Sequence, residues 1–272
     1  MLRIQHRDWF LLTVGNVAAL SIMIDAKHGV SRGIVLEPAW TIAVYLALPL
    51  VAIVALDMKR QVVGSSLVAL GGLAIAVPIA ARSWFGMRLV IDKNPEMYLI
   101  APTVVAVVLL VLAAYLSGVK LAEWGFSAGD WRWWVPRFLG LMAGIVPLVL
   151  FAAWMDPEFL DFYPEYVPAR TSAWELFKYQ LGNGFYMVGW EFFFRGFLIF
   201  ALARHLGWTG AAIFQAIPFM LLHEGKPELE MAASFGGAVL LAYFCLRARS
   251  FWPAVALHWG LNLSMEVLGF CW

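Results

Sequence analysis

Long apolar stretches recur along almost the whole chain, separated by short polar segments. A helix needs about 20 apolar residues to cross the hydrocarbon core of a bilayer. Because lipid offers the backbone no hydrogen-bond partners, each such stretch is predicted to be α-helical. The pattern predicts an all-α, polytopic membrane bundle of eight or nine transmembrane helices, the first of which could instead lie at the membrane surface. The candidate spans are residues 9–25, 39–56, 62–81, 97–117, 135–155, 173–204, 208–223, 229–247 and 250–271.

Two polar segments divide these stretches. Residues 122–137, AEWGFSAGDWRWWVPR, combine glycine, charge and clustered tryptophans, which is typical of a segment at the lipid–water interface. Residues 155–170, MDPEFLDFYPEYVPAR, form an acidic loop whose prolines end the preceding helix. We therefore predict N-terminal helices of unassigned role over residues 1–120 and a functional core over residues 121–272.

The composition agrees with a membrane protein. Of the 272 residues, 62% are hydrophobic and 14% are charged, and the mean hydropathy is +0.78. A soluble domain has about half apolar and a quarter charged residues, so the surplus apolar surface requires lipid. The net charge of +1 indicates no nucleic-acid partner. We expect an integral, multi-pass membrane protein with the lipid bilayer as its surroundings.

Ionisable residues inside the apolar stretches are concentrated in the C-terminal half. Such residues are costly in lipid and usually face the protein interior, where they serve a function. In VGWEFFFRGF, Glu191 and Arg195 are four residues apart and share a helix face. An ion pair that only neutralises itself is the simpler interpretation of this pair alone.

A histidine and a polar hairpin follow at the end of the next stretch. His223 closes PFMLLH, and Phe219 lies one turn earlier on the same face, where it could form the wall of a pocket. The hairpin after His223 carries Glu224 and Glu230 among its charges. A lone histidine at a helix end is more often an interfacial residue than a functional one.

The last stretch carries a polar stripe. His258, Asn262 and Glu266 recur every four residues and lie on one face of an otherwise apolar helix. A single polar residue there would fit an interhelical hydrogen bond, but three aligned polar groups favour a functional site.

Four of these side chains come from three successive helices that can converge, namely Glu191, His223, His258 and Asn262. Together they could activate water by general base catalysis and stabilise an oxyanion. They could equally bind a metal ion through two nitrogens and an oxygen. The chain has no HExxH motif and no GxSxG motif, so neither a zincin nor a serine nucleophile is predicted. No cofactor is expected, and zinc remains open.

The order of these motifs resembles the CPBP family of intramembrane endopeptidases, also called the ABI family. The matching stretches are Glu191-FFF-Arg195, Phe219-MLL-His223 and His258-WGL-Asn262. The family includes the type II CAAX prenyl proteases, and the resemblance covers roughly residues 120–270.

The resemblance implies a glutamic intramembrane endopeptidase acting on a membrane-associated protein or peptide. In this family a glutamate and the first histidine, here His223, activate water, while His258 and Asn262 stabilise the oxyanion. Arg195 would hold the glutamate in place. The bacterial or archaeal cytoplasmic membrane is the expected location.

One position departs from the family pattern. The family motif is usually E-E-x-x-x-R, and its first glutamate is the one assigned to catalysis, but Trp190 occupies that position here. Adjacent helix positions point about 100° apart, so Glu191 could act as the base only after a helix shift. Alternatively, another acid could supply the base, or the protein is a non-catalytic scaffold or partner-binding protein. The alternative acids are Glu224, Glu230 and Glu266.

A transporter or proton-relay protein is a further alternative, because His and Glu side chains line such pathways. Against it, the polar residues cluster in one place and the sequence has no evident inverted repeat.

Overall fold

The computed structural model describes part of the chain. The described residues are 6–28, 47–56, 107–108, 111–112, 114–115, 118–223 and 226–272.

The described residues form helices and connecting turns, with no strand among them. Two short 3₁₀ helices, Leu121–Trp124 and Val167–Arg170, precede α-helices, and an apolar helical segment covers Ala47–Leu56. A π-helix covers Phe192–Leu198 and joins two α-helices without a break. The α-helices are α1 (His6–His28), α2 (Trp131–Met155), α3 (Pro157–Phe162), α4 (Ala173–Glu191), α5 (Ile199–Leu221), α6 (Glu228–Ala248) and α7 (Trp252–Cys271).

Four helical runs in the described part are long and apolar enough to cross a membrane. They are Trp131–Met155, Ala173–Leu221, Glu228–Ala248 and Trp252–Cys271. The all-α prediction is therefore confirmed for these residues, and the predicted number of eight or nine transmembrane helices is not. The predicted span 62–81, residues 39–46 of the span 39–56, and most of the span 97–117 lie outside the described residues.

The longest run folds back on itself at Gly207. As a straight helix its 49 residues would be about 73 Å long, more than twice the hydrocarbon thickness of about 30 Å. Gly207 has non-helical dihedral angles, φ 73° and ψ 175°, a region that favours glycine. The rings of Phe194 and Phe219 are 5.4 Å apart, which requires a reversal between them. The predicted boundary between spans 173–204 and 208–223 coincides with this turn.

Side-chain caps begin the two α-helices that follow α2. Asp156, directly after α2, accepts a hydrogen bond from the Glu158 backbone N–H at 3.1 Å and begins α3. Ser172 accepts one from the Glu175 backbone N–H at 3.3 Å and begins α4. Each cap satisfies a backbone donor that the helix itself leaves unpaired, so the loop between α2 and α4 has defined ends.

The core is built around α5, α6 and the π-helix, with α7 packed against α2, α4 and α6. Fully buried phenylalanines fill its centre, among them Phe192, Phe194 and Phe197. Helix α1 lies against α5, where Thr209 donates a hydrogen bond to Asp8 at 2.9 Å. At least one helix of the predicted N-terminal segment thus packs directly on the C-terminal core; the predicted division at residue 120 remains a prediction.

The two ends of the bundle differ in charge. At the end where α2 and α7 begin, the guanidinium groups of Arg137 and Arg247 lie over the Trp133 ring, 4.6 and 4.7 Å from its centroid. The connection after α2, at the opposite end, is rich in acidic residues. Trp133 of segment 122–137 therefore lies beside two arginines, whereas Trp124 of the same segment is buried in the core. The interfacial role of this segment stays a prediction.

Candidate active site

The π-helix begins directly after Glu191, which is the last residue of α4. Its hydrogen bonds close wider turns than those of an α-helix, so residues after it are rotated relative to a continuous α-helix. Such segments are rare and are frequently found at functional sites. From the sequence, Glu191 was expected to act as the base only if the helix shifted near this point. Nothing in the sequence indicates a π-helix, because the aromatic residues of this segment fit any buried helix.

Glu191 and Arg195 form a buried ion pair. Both side chains are 0% exposed, and Arg195 Nη1 lies 3.1 Å from Glu191 Oε1 and 3.0 Å from Oε2. The guanidinium also lies over the Phe219 ring, with its Cζ 3.8 Å from the centroid, which is a cation–π arrangement. Arg195 is thus held between a carboxylate and an aromatic face, and it holds Glu191 in turn.

Glu191 also bonds to a histidine of α7. His258 Nδ1 lies 2.5 Å from Glu191 Oε1. A carboxylate at this position accepts the hydrogen bond, so Nδ1 carries the proton and Nε2 is the nitrogen left for other partners. The ion pair is therefore not self-contained, because it connects α4 to the polar stripe of α7.

His223 is oriented by the backbone one turn earlier. Its Nδ1 lies 2.8 Å from the Phe219 carbonyl oxygen. A carbonyl oxygen only accepts, so Nδ1 carries the proton and the neutral ring presents the lone pair of Nε2. The ring of His223 is 6.2 Å from that of His258, and Phe219 packs against both at 4.8 and 5.6 Å. The structure thus brings the two histidines together around Phe219.

Asn262 lies one turn after His258 and is 6% exposed. Its Oδ1 accepts hydrogen bonds from Gln180 Nε2 at 3.3 Å and from Asn183 Nδ2 at 2.5 Å. The sequence analysis missed these two amides of α4. Spacing could have identified Asn183 as a residue of the site. It precedes Glu191 by eight residues, so the two residues lie on one face of an apolar helix.

Glu230 and Glu266 belong to a separate polar cluster with Tyr163, Glu165 and Lys226. Tyr163 donates to Glu230 Oε2 at 2.7 Å, and Lys226 Nζ lies 2.9 Å from Glu165 Oε2. Glu266 Oε1 accepts from the Glu165 backbone N–H at 3.3 Å. This cluster ties the acidic loop to α6 and α7.

Charge interactions in this cluster shift two pKa values. Burial opposes the charge of Lys226, but the Glu165 and Glu230 carboxylates outweigh it and raise the pKa of Lys226. Burial and the adjacent Glu230 carboxylate raise the pKa of Tyr163 well above its ordinary value. Both groups are therefore protonated at neutral pH, and the positive charge of Lys226 balances part of the acidic charge around it.

None of the described carboxylates forms a hydrogen bond with His223. Glu230 and Glu266, two of the alternative acids, bond elsewhere, and Glu224 lies outside the described residues. Among the described carboxylates, Glu191 forms a hydrogen bond with one of the two histidines, His258.

Trp190 occupies an aromatic wall beside the site. The side chain is half-buried, and its ring lies 5.5 Å from Tyr186, 5.1 Å from Phe194 and 6.3 Å from Phe219. An apolar surface therefore stands where the family pattern has its first glutamate.

In the described part of the chain, no three or more His, Cys, Asp and Glu side chains lie together in a way suited to a metal ion. The two histidines of the site each have Nδ1 engaged by an oxygen acceptor, which leaves only their Nε2 atoms as prospective ligands.

The candidate site lies in the part of the chain that is similar to a known protein family. No curated protein and no solved structure matches the chain. Residues 172–264 match the family model for type II CAAX prenyl endopeptidase Rce1-like proteins. The match includes all three motifs, ends shortly before Glu266, and together with the four apolar helical runs indicates an integral membrane protein. Residues 172–264 are therefore similar to the Rce1-like domain of type II CAAX prenyl endopeptidases.

Proposed function

We propose that this protein is an intramembrane endopeptidase that hydrolyses a peptide bond of a membrane-associated protein or peptide. The observation that carries the proposal is that His223, just after the end of α5, lies beside His258 of α7, one turn before Asn262 on the same helix, inside the segment that matches the protease family. A peptidase of this kind needs a base for water and donors for the oxyanion, and these three residues can supply both.

In the proposed mechanism, Nε2 of His223 removes a proton from a water molecule. The water oxygen attacks the scissile carbonyl carbon, and the electron pair of the carbonyl moves to its oxygen. The N–H group of Asn262 stabilises this oxyanion together with Nε2–H of His258 in the doubly protonated form of that ring. The C–N bond then breaks as His223 returns the proton to the leaving nitrogen, which yields a carboxylic acid and an amine.

The proposed role of Glu191 is to support His258 rather than to act on water. Arg195 Nη1 contacts both of its oxygens, and His258 Nδ1 contacts one of them. Because its oxygens are engaged by these two partners, Glu191 is not positioned to act on water, and its bond to Nδ1 fixes the orientation of the His258 ring. If Glu191 itself removes the proton from the water molecule, the test below should give a different result.

The test is cleavage of membrane-anchored, quenched-fluorescence peptide libraries by the purified protein in liposomes. His223→Ala and His258→Ala should each lower kcat by about 100-fold or more, with insertion and melting temperature unchanged. Glu191→Gln should leave measurable activity, because His223 remains. If Glu191→Gln removes all activity while His223→Ala retains it, the glutamate is the base and the proposed mechanism is wrong.

The same assay addresses the cofactor and the alternative functions. No added cofactor should be needed, and activity that is lost with a chelator and restored by stoichiometric zinc would contradict the metal-free mechanism. Retention of cellular function by both histidine variants would favour a scaffold or partner-binding role. Solute flux into liposomes without peptide would favour a transporter.

We further propose the bacterial or archaeal cytoplasmic membrane as the location, with a lipid-embedded protein or peptide as the substrate and no nucleic-acid partner. The apolar helices and the family match support the membrane assignment. Fractionation of the native organism, with the protein detected in cytoplasmic membranes, tests it.

A further inference from the structure

Resting on the proposed peptide hydrolysis, we propose that Gln180 and Trp259 are positioning residues that fix the amide orientation of Asn262. They form a chain of hydrogen bonds, Trp259 to Gln180 to Asn262, that connects α4 to α7. In the fixed orientation the Oδ1 of Asn262 faces α4 and its Nδ2 is the donor left for the oxyanion.

The chain starts with a group that can only donate. Trp259 Nε1 lies 3.2 Å from Gln180 Oε1, and an indole N–H has no acceptor function. Gln180 must therefore turn its oxygen toward Trp259 and its NH₂ group away from it. Gln180 is 5% exposed, so water does not compete freely for either atom.

The second bond transmits this choice to Asn262. Gln180 Nε2 donates to Asn262 Oδ1 at 3.3 Å, and Asn183 Nδ2 donates to the same oxygen at 2.5 Å. In the reversed orientation the NH₂ group of Asn262 would face two donors instead. Buried polar groups are normally paired, so the reversed amide is strongly disfavoured.

The consequence is a donor of Asn262 left without a partner one helical turn from His258. Among the described residues Asn262 Nδ2 has no acceptor, although the side chain is 6% exposed. Asn262 also follows His258 by one helical turn, so the two side chains lie on the same face of α7. A pre-oriented donor of this kind stabilises an oxyanion without reorganising during the reaction.

A double-mutant cycle tests the chain through kcat and KM. Gln180→Leu should lower kcat by about 10-fold to 100-fold, because a small misplacement of a catalytic group has effects of this size, and KM should stay the same. In an Asn262→Ala background, Gln180→Leu should have no further effect on kcat, because Gln180 acts only through Asn262.

Two further variants serve as the fold check and the matched control. Trp259→Phe keeps both amides and removes only the donor that selects their orientation, so it should lower kcat by several-fold even if Gln180→Leu fails to fold. Gln215→Leu removes a buried glutamine that bonds the Ala212 and Ala238 carbonyls instead. Any fold-decrease in kcat from Gln215→Leu should multiply with the fold-decrease from Asn262→Ala, because Gln215 does not act through Asn262.

Equal effects of Gln180→Leu in the two backgrounds, or no effect in the wild-type background, would overturn the proposal. The failure of the proposed function is separate, because the wild-type protein would then cleave no peptide. In that case the melting temperatures of the same variants show whether the hydrogen-bond chain exists. Losses from Gln180→Leu and Asn262→Ala that do not add support the hydrogen-bond chain, and additive losses contradict it.

Discussion

At the scale of single residues, Arg195 is unusual because it is a fully buried cation in an apolar bundle. Its positive charge is balanced by Glu191 and by the π-face of Phe219. Breaking a buried ion pair on one side leaves an unbalanced charge, which typically destabilises a protein by about 3–5 kcal/mol. We therefore expect Arg195→Met to lower the free energy of unfolding by that amount.

The measurement is denaturant unfolding in detergent micelles, followed by tryptophan fluorescence. The double variant Arg195→Met/Glu191→Gln should recover part of the loss, because it removes both charges. Arg132→Met, at an exposed arginine near the start of α2, is the control and should change stability by less than about 0.5 kcal/mol. A double variant less stable than Arg195→Met would show that the pair is not the cause.

The proximity of Glu191, His258 and His223 could be predicted from the sequence, because charged and polar groups in apolar helices are costly and usually face one another. The catalytic roles assigned to these residues and to Asn262 stay predictions. Which nitrogen of each imidazole carries the proton depends on partners that only the folded chain provides. Gln180 and Asn183 escaped prediction because uncharged amides in a membrane helix are common enough to attract no attention.

At the scale of elements, α4 and α7 approach closely at Gly184. A Cβ atom built on Gly184 would lie 2.8 Å from the Trp259 ring, a rigid group that cannot turn aside easily. We expect Gly184→Ala to destabilise the protein by about 1–3 kcal/mol, the range for overpacked cores, and to lower kcat by displacing Trp259 from Gln180.

Gly140 of α2 is the matched control for that substitution. No described atom lies within 4 Å of a Cβ atom built there, so Gly140→Ala should raise helix stability by up to about 1 kcal/mol through its lower conformational entropy. Thermal unfolding of both variants in the same detergent gives the comparison. Equal destabilisation by the two alanines would mean that contact with Trp259 is not responsible.

The elements themselves were partly predictable from hydrophobic length. The predicted spans 135–155, 229–247 and 250–271 correspond to α2, α6 and α7 within a few residues. The π-helix was not foreseen, because its formation depends on how Phe192 to Leu198 pack in three dimensions. The turn at Gly207 was foreseen as a boundary, since a span of 49 residues exceeds any bilayer.

At the scale of the whole molecule, the distribution of charge predicts an orientation. Arginines flank the end where α2 begins, whereas the loop after α2 is acidic. Cytoplasmic loops of membrane proteins carry an excess of Lys and Arg. We therefore expect the end with Arg132 to face the cytoplasm and the loop with Glu158 to face the outside.

Labelling with a membrane-impermeant maleimide checks this orientation in intact cells. In a Cys271→Ser background, which removes the exposed native thiol while Cys245 stays buried, Glu158→Cys should react directly. Arg132→Cys should react only after the cells are permeabilised. The opposite labelling pattern would reverse the assigned topology, and the background protein without added cysteines controls for labelling of Cys245.

The bond between Glu191 and His258 joins residues 67 positions apart, and this separation has a consequence during biosynthesis. A ribosome completes α4 and the π-helix well before it reaches α7, so Glu191 first enters the membrane with Arg195 as its available partner. Until α7 follows, the nascent protein has neither His258 nor Asn262 and cannot attack its own neighbours in the translocon. The proposed peptidase activity would thus require that synthesis of α7 be complete.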